Sequence, residues 1–147
     1  MKLLLLIFSL SCSVALGQIS IQELISVSKM DSESFEIYAL KKGFNFYRLK
    51  NDEHTKGIGM QQFISEKEIT RYLFCYSKFF DVRYHSNYQT SQTNELQKLY
   101  QDLGLLGFKL VDRREFEDRY VKSYSRGNET VSIHIYHDWI EVGYTIE

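Results

Sequence analysis

Four histidines, His54, His85, His134 and His137, offer the widest range of chemistry in this chain. His134 and His137 stand three residues apart, which would suit a pair of metal ligands only if both pointed the same way. Residues three apart on a β-strand point to opposite faces, and this region has the alternation typical of a strand. Cys-x-x-Cys, His-Glu-x-x-His and calcium-loop motifs do not occur in the sequence. We therefore expect no metal site and no cofactor.

Acid–base catalysis requires a histidine or paired carboxylates that converge in a cleft. His137, Asp138 and Glu141 cluster near the last predicted hairpin, but the sequence alone does not place a partner for them. No serine has the G-x-S-x-G context of a nucleophile, and the Gly57–Gly59 stretch is too short for a phosphate loop. We predict a non-enzymatic protein. The alternative is a small secreted hydrolase that uses these three side chains.

The aromatic residues suggest a binding surface. In the predicted last two strands, aliphatic residues alternate with aromatic and polar ones, so that Tyr136 and Trp139 fall opposite Ile133 and Val142. Tyr and Trp offer large contact areas at low entropic cost, and a sheet face rich in them suits a protein partner or a cell-surface glycan. The predicted binding residues are Tyr72, Phe74, Tyr76, Tyr120, Tyr124, His134, Tyr136 and Trp139. Aromatic pairs that only stabilise the sheet are one alternative, and a carrier whose curled sheet holds a small apolar ligand is another.

The elements that must position these residues follow from periodicity and capping. Ser20 and Glu23 form a capping-box pattern before a first helix, and Asp31 or Ser32 can cap a second helix that ends at Gly43. In the first half, period-two patterns predict strands over Phe44–Lys50, Gly57–Ile64, Ile69–Ser77 and Phe79–His85, with turns at Asn51–Lys56 and Ser65–Glu68. The polar stretch Ser86–Thr93 is predicted to be an internal boundary.

The second half repeats this order. A helix capped by Thr93 or Asn94 carries Leu96, Leu99, Tyr100 and Leu103 on one face. The predicted strands are Phe108–Asp112, Glu117–Tyr124, Val131–His137 and Ile140–Ile146, with a hairpin turn at Gly127-Asn128. The predicted fold class is α+β, with an antiparallel sheet of up to eight strands and helices packed on one face.

Composition and the first residues bear on the compartment. The 18 basic and 19 acidic residues give a net charge of −1, which argues against nucleic-acid binding through bulk electrostatics. Lys2, the apolar run Leu3–Leu10 and the small residues around Leu16 have the order of a signal peptide over residues 1–17. We expect one exported α+β domain over residues 18–147, periplasmic or extracellular, with no transmembrane segment. Cys12 lacks the spacing of a lipoprotein anchor.

Each half also contains a glycine–phenylalanine junction between a helix and a strand, at Gly43-Phe44 and Gly107-Phe108. The repeated order of elements predicts two half-repeats, 18–90 and 91–147. In this architecture the chain resembles the beta-lactamase inhibitory protein family, in which two such repeats form a concave sheet that grips an enzyme. The resemblance implies a protein partner but carries no site residue over, and the family's internal disulfides have no counterpart in a mature chain with one cysteine. The chain also resembles small exported proteins of bacteria with AT-rich genes.

Overall fold

A computed structural model describes residues 19–51, 59–67, 70–78 and 84–146. The signal peptide predicted for residues 1–17, Cys12, His54 and the segment 79–83 lie outside the described residues. The described helices and strands follow one another along the chain in the order α1 (Ile21–Ser28), α2 (Ser32–Lys41), β1 (Asn45–Asn51), β2 (Gly59–Lys67), β3 (Thr70–Lys78), β4 (Tyr84–Thr90), α3 (Glu95–Leu105), β5 (Lys109–Glu115), β6 (Tyr120–Arg126), β7 (Glu129–Ile135) and β8 (Ile140–Ile146).

The strands pair in the order β1-β2-β3-β4-β8-β7-β6-β5, and each pairing is antiparallel. The α+β class and the antiparallel sheet are therefore confirmed. Side chains are described for the five-stranded section β4-β8-β7-β6-β5, apart from the first two residues of β4. β4 is the first strand of this section and pairs with β8, so the two halves of the chain meet along that pair.

The starts of α1 and α2 and the glycine ends of α2 and α3 follow the signals in the sequence, whereas Asn94 at the start of α3 makes no side-chain capping hydrogen bond. The Ser20 hydroxyl accepts from the Glu23 backbone N–H, and the Glu23 carboxylate accepts from the Ser20 N–H, which completes the predicted capping box. Asp31, rather than Ser32, caps α2. Gly43 has φ 84° and Gly107 has φ 80°, a left-handed conformation that ends a helix with little strain only in glycine.

All three helices lie on the same side of the sheet. The Ser86 hydroxyl donates to the Leu24 carbonyl of α1 at 2.9 Å, and the Tyr88 hydroxyl lies 3.1 Å from the Glu95 carboxylate of α3. The helix α2 lies against β1 and β3. Between helices and sheet lies the hydrophobic core, which includes Ile21, Leu24, Phe35, Tyr88, Leu103, Val131, Ile133, Ile140, Val142 and Tyr144.

The prediction that the fourth strand ends at His85 was wrong, and residues 79–83 of the predicted strand lie outside the described residues. The structure places β4 at Tyr84–Thr90, so much of the predicted boundary Ser86–Thr93 is a central strand. Its buried side chains are polar or amphipathic, because Ser86 and Tyr88 find hydrogen-bond partners on the helices. A search for apolar alternation therefore misses it. The predicted turn Ser65–Glu68 was also wrong through residue 67, since β2 continues to Lys67.

Candidate functional site

The candidate site lies where two hairpins turn. The Phe116 N–H donates to the Arg119 carbonyl at 2.9 Å in the β5–β6 turn, and the Tyr136 N–H donates to the Trp139 carbonyl at 2.9 Å in the β7–β8 turn. Each turn therefore begins with an aromatic residue and closes with the same backbone bond. Because β6 pairs with β7 through Tyr120 and Ile135, the two turns lie side by side at one end of the sheet.

The strand register then decides which side chains share a face. Ile133 pairs with Val142, both of which are buried against the helices, whereas the next pair along the strands is His134 with Glu141. Glu141 pairs in turn with Gln89 on β4. Because neighbouring residues of a strand point to opposite sides, His134, Glu141 and Gln89 lie on the face away from the helices, which we call the outer face.

At the hairpin end of the outer face, five side chains form what we call the aromatic cluster: Phe116, Arg119, His134, Tyr136 and Trp139. The Tyr136 and Trp139 rings are stacked with centroids 3.8 Å apart and planes 6° apart. The His134 ring lies 6.5 Å from the Tyr136 ring on a similar plane, at 20°. The cluster therefore presents a row of rings along the end of the sheet.

Arg119 joins the two turns. Its guanidinium carbon lies 4.6 Å from the centroid of the Phe116 ring and 5.8 Å from that of the Tyr136 ring. Such cation–π contacts are worth about 0.5–1 kcal/mol at exposed sites and more when water is excluded. One terminal nitrogen of Arg119 bonds both oxygens of Asp118, at 3.0 and 3.1 Å. Stacking and ion pairing together fix the guanidinium across the turns.

Beside the cluster, Glu141 is held by two side-chain amides. Asn87 donates to one carboxylate oxygen, and the Gln89 amide donates to the other at 3.2 Å. In the part of the chain that the structure describes, no Lys or Arg forms an ion pair with this carboxylate. The two amides thus hold the Glu141 carboxylate in a fixed orientation on the outer face. Their hydrogen bonds stabilise its charge without neutralising it.

Burial and the charges around Tyr136 shift the pKa of its phenol. Partial burial raises the pKa of its phenol above the ordinary value of 10.0, and the negative charges of Glu141 and Asp118 raise it further, while Arg119 acts in the opposite direction. The phenol therefore stays protonated at neutral pH and is available as a hydrogen-bond donor.

The predicted binding residues do not share one face, and in this respect the prediction was wrong. His134, Tyr136 and Trp139 lie together on the outer face. Tyr124 pairs with the buried Val131, and its ring lies 6.2 Å from that of Tyr100 on α3. It is therefore a helix-facing residue.

Tyr120 lies on the same face as Tyr124, at the end of β6. Its ring is exposed, and its hydroxyl bonds to Glu115 on the edge strand β5 at 2.9 Å. It does not join the aromatic cluster.

For Tyr72, Phe74 and Tyr76 the backbone register gives the position. They pair with Thr90, Tyr88 and Ser86, all of which are buried residues on the helix-covered face. These three positions therefore belong to the helix-covered face of β3. We predicted that the aromatic residues of this strand lie on a free binding face of the sheet, and the register shows that this placement was wrong.

The three residues of the hydrolase alternative do not converge. The His137 ring lies 3.6 Å from Asp138, and both side chains are almost fully exposed at the tip of the turn, at 98% and 85%. Glu141 instead points along the outer face, where Asn87 and Gln89 hold it. Within the described residues no group of three or more His, Cys, Asp and Glu side chains is placed to hold a metal ion.

Sequence reasoning missed Phe116, Arg119, Asn87 and Gln89. A signal for the first two was present, because Phe116-Glu117-Asp118-Arg119 and Tyr136-His137-Asp138-Trp139 each begin with an aromatic residue and carry Asp at the third position. Asn87 and Gln89 lie in the stretch Ser86–Thr93, which was predicted to be an internal boundary rather than part of a strand.

Comparison of the chain with protein-family models, with curated proteins and with solved structures found no match. The likeness to the beta-lactamase inhibitory protein family therefore stays a prediction. No helix within the described ranges is long and apolar enough to cross a membrane.

Proposed function

We propose that this protein is an exported, non-enzymatic binding module that holds a protein partner on the outer face of its sheet. The observation that carries the proposal is the convergence of Tyr136, Trp139 and Arg119 in one cluster on the face away from the helices. Trp, Tyr and Arg are the residue types most enriched among those that dominate binding energy in protein interfaces.

The surroundings of the cluster also suit an interface. Ser132 and Thr145 are half-buried on the outer face. Gly143 pairs with Ser132 and lies two residues before Thr145, so the central part of this face carries small residues. A polar area of small residues beside a cluster of large aromatic side chains matches the division of protein interfaces into a few anchoring residues and a wider complementary surface.

Photo-crosslinking in the native host tests this proposal. Benzoylphenylalanine at His137, which is exposed beside the cluster, should give an adduct with one defined protein. The matched control is the same group at Leu105, which is 86% exposed at the end of α3 on the helix side. We expect Trp139→Ala to remove the His137 adduct. Equal adducts from both positions, or an adduct that Trp139→Ala leaves unchanged, would contradict the proposal.

We further propose that the two halves are copies of one helix–four-strand unit, which together make one eight-stranded sheet. The two helix ends support this proposal. Phe44 N–H bonds to the Ala39 carbonyl at 3.0 Å, and Phe108 N–H bonds to the Leu103 carbonyl at 3.0 Å, so both bonds span five residues. Both phenylalanines are buried.

The strand pairing supports the duplication as well. The register of the first strand in each half shifts at the same distance after its glycine, between Phe46 and Arg48 and between Leu110 and Asp112. At the centre, the middle residue of β4, Asn87, pairs with the middle residue of β8, Gly143. A twofold relation between two similar units would produce this pairing.

Exchanging the junctions tests the duplication. We expect a chain in which Leu106–Leu110 is replaced by the sequence of Lys42–Phe46 to fold cooperatively, with a free energy of unfolding within about 2 kcal/mol of the original. Non-cooperative unfolding of this variant would contradict the proposal.

A further inference from the structure

On the outer face, no cation among the described residues balances the charge of Glu141. Arg119 is paired with Asp118 within its own turn. Among the described residues, Glu141 is bonded by Asn87 and Gln89, which are neutral. The aromatic cluster and its immediate neighbours therefore carry a net negative charge when His134 is neutral.

Trp139 lies two positions before Glu141, so both residues belong to the outer face of the same hairpin arm. Tyr136 covers one side of the indole ring. In the described residues no second ring and no cation is stacked on Trp139. An indole ring is the strongest aromatic acceptor for a cation, and a nearby carboxylate adds a charge-assisted hydrogen bond.

We infer that the outer face receives a lysine or arginine side chain of the partner protein, which lies on the Trp139 ring and places its charge at Glu141. This inference rests on the proposed binding function and adds the chemistry of the contact. The Asn87 and Gln89 amides make the contact more specific, because they hold the Glu141 carboxylate in one orientation before the partner binds. Because the carboxylate is already oriented, binding of the cation requires little rearrangement of the protein and loses little affinity to it.

The single tryptophan of the chain reports on this contact directly. The probe is the peptide acetyl-Gly-Arg-Gly-amide, titrated at low ionic strength while Trp139 fluorescence is recorded. Its matched controls are the same peptide with Gln or Glu in place of Arg. We expect a saturable change in emission with the Arg peptide in the millimolar range, and no saturable change with the other two.

Two variants separate a specific contact from general attraction. Glu141→Gln keeps the size of the side chain and should weaken binding of the Arg peptide by about fivefold or more. Glu117→Gln removes the same charge from the neighbouring turn, where the side chain is exposed, and should change binding by less than about twofold because of solvent screening. Thermal unfolding of both variants checks that they are folded.

Equal responses to the Arg and Gln peptides, or equal effects of the two substitutions, would overturn the inference. The crosslinking experiment distinguishes this result from failure of the binding function itself. If Trp139→Ala removes the adduct at His137 while Glu141→Gln leaves it intact, the outer face binds a protein but does not do so through a cation at Glu141.

Discussion

On strand β7, Val131 and Ile133 are fully buried beneath the helices, whereas Ser132 and His134, which alternate with them, are half-buried on the outer face. The same strand thus serves two surfaces of different composition. On β7 and β8 the helix-covered face buries aliphatic side chains, among them Val131, Ile133, Ile140 and Val142. The outer face is polar in its centre and concentrates its large aromatic residues at the end formed by the β5–β6 and β7–β8 turns.

The carboxylates on the two faces also differ in the partners that they bond. On the helix-covered side, the Tyr144 hydroxyl donates to Glu129 at 2.7 Å, and Glu129 also receives Arg126, so a charge and its partners belong to one closed network. On the outer side, Glu141 has only neutral donors, and Nε of Arg119 is buried without a hydrogen-bond partner among the described residues. The described contacts of Glu129 on the covered face therefore include a cation, whereas those of Glu141 on the outer face do not.

The largest expected effect comes from exchanging neighbours on β7. Ile133→Ala should lower the free energy of unfolding by about 2–5 kcal/mol, because it leaves a cavity in the core. Ser132→Ala, one position away on the outer face, should change it by no more than about 0.5 kcal/mol. Urea unfolding measures both. Similar values for the two variants would show that the faces do not differ as described.

The second largest effect is expected at Glu23, whose ionisation makes the stability of the protein depend on pH. Burial disfavours the ionised form of Glu23, but hydrogen bonds from Lys42, Ser20 and Tyr38 outweigh this effect and lower its pKa from 4.5 to about 2. A lowered folded-state pKa stabilises the protein above the unfolded value, and this stabilisation is lost as the pH falls from about 4.5 toward 2.

We therefore expect Glu23→Gln to destabilise the protein by about 1–3 kcal/mol at pH 7 and by much less near pH 2. Denaturant unfolding at several pH values gives this difference. Glu33→Gln, at an exposed position of α2, is the control and should change the free energy of unfolding by no more than about 0.5 kcal/mol at pH 7. A Glu23→Gln effect that is constant with pH would contradict the assigned network.

A smaller effect is expected where α3 passes into β5. Gly107 has φ 80° with open space around its Cα, so an added Cβ strains only the backbone, and Gly107→Ala should destabilise by about 1–2 kcal/mol. Gly104 lies within α3, also in open space, and Gly104→Ala should stabilise by about 0.5–1 kcal/mol. Thermal unfolding of the two variants should move in opposite directions, and shifts of the same sign would contradict the helix ending.

The smallest effect on stability is expected at the aromatic cluster. Trp139→Ala removes the stacked pair with Tyr136 but opens no cavity in the core, so the free energy of unfolding should fall by about 1 kcal/mol. A loss comparable with that of Ile133→Ala would mean that the cluster is a second core rather than a binding surface.

Much of the fold follows from local signals in the sequence. The capping box at Ser20, the positive φ of Gly43 and Gly107, and the hairpin at Gly127-Asn128 are decided by residues a few positions apart. The alternation in β7 and β8 also predicted which of their residues face the core. These features could be predicted because each depends on short-range geometry.

The incorrect predictions concern features that depend on contacts between residues far apart in the sequence. β4 is buried and polar, and its role appears only when Ser86 and Tyr88 meet the helices and Asn87 and Gln89 meet Glu141. The faces of β3 depend on its register with β4, which a single strand does not reveal. The Arg119 contact likewise requires two hairpins to lie side by side. The site was therefore predicted only in the part that lies on β7, β8 and their turn.

The binding-face hypothesis is tested most directly by the affinity of the crosslinked partner for Trp139→Ala, compared with Leu105→Ala on the helix side. We predict that Kd rises about thirtyfold or more for Trp139→Ala, as for an anchoring residue, and less than about twofold for Leu105→Ala. Equal values of Kd for the two variants, with both still folded, would contradict the hypothesis that the outer face holds the partner.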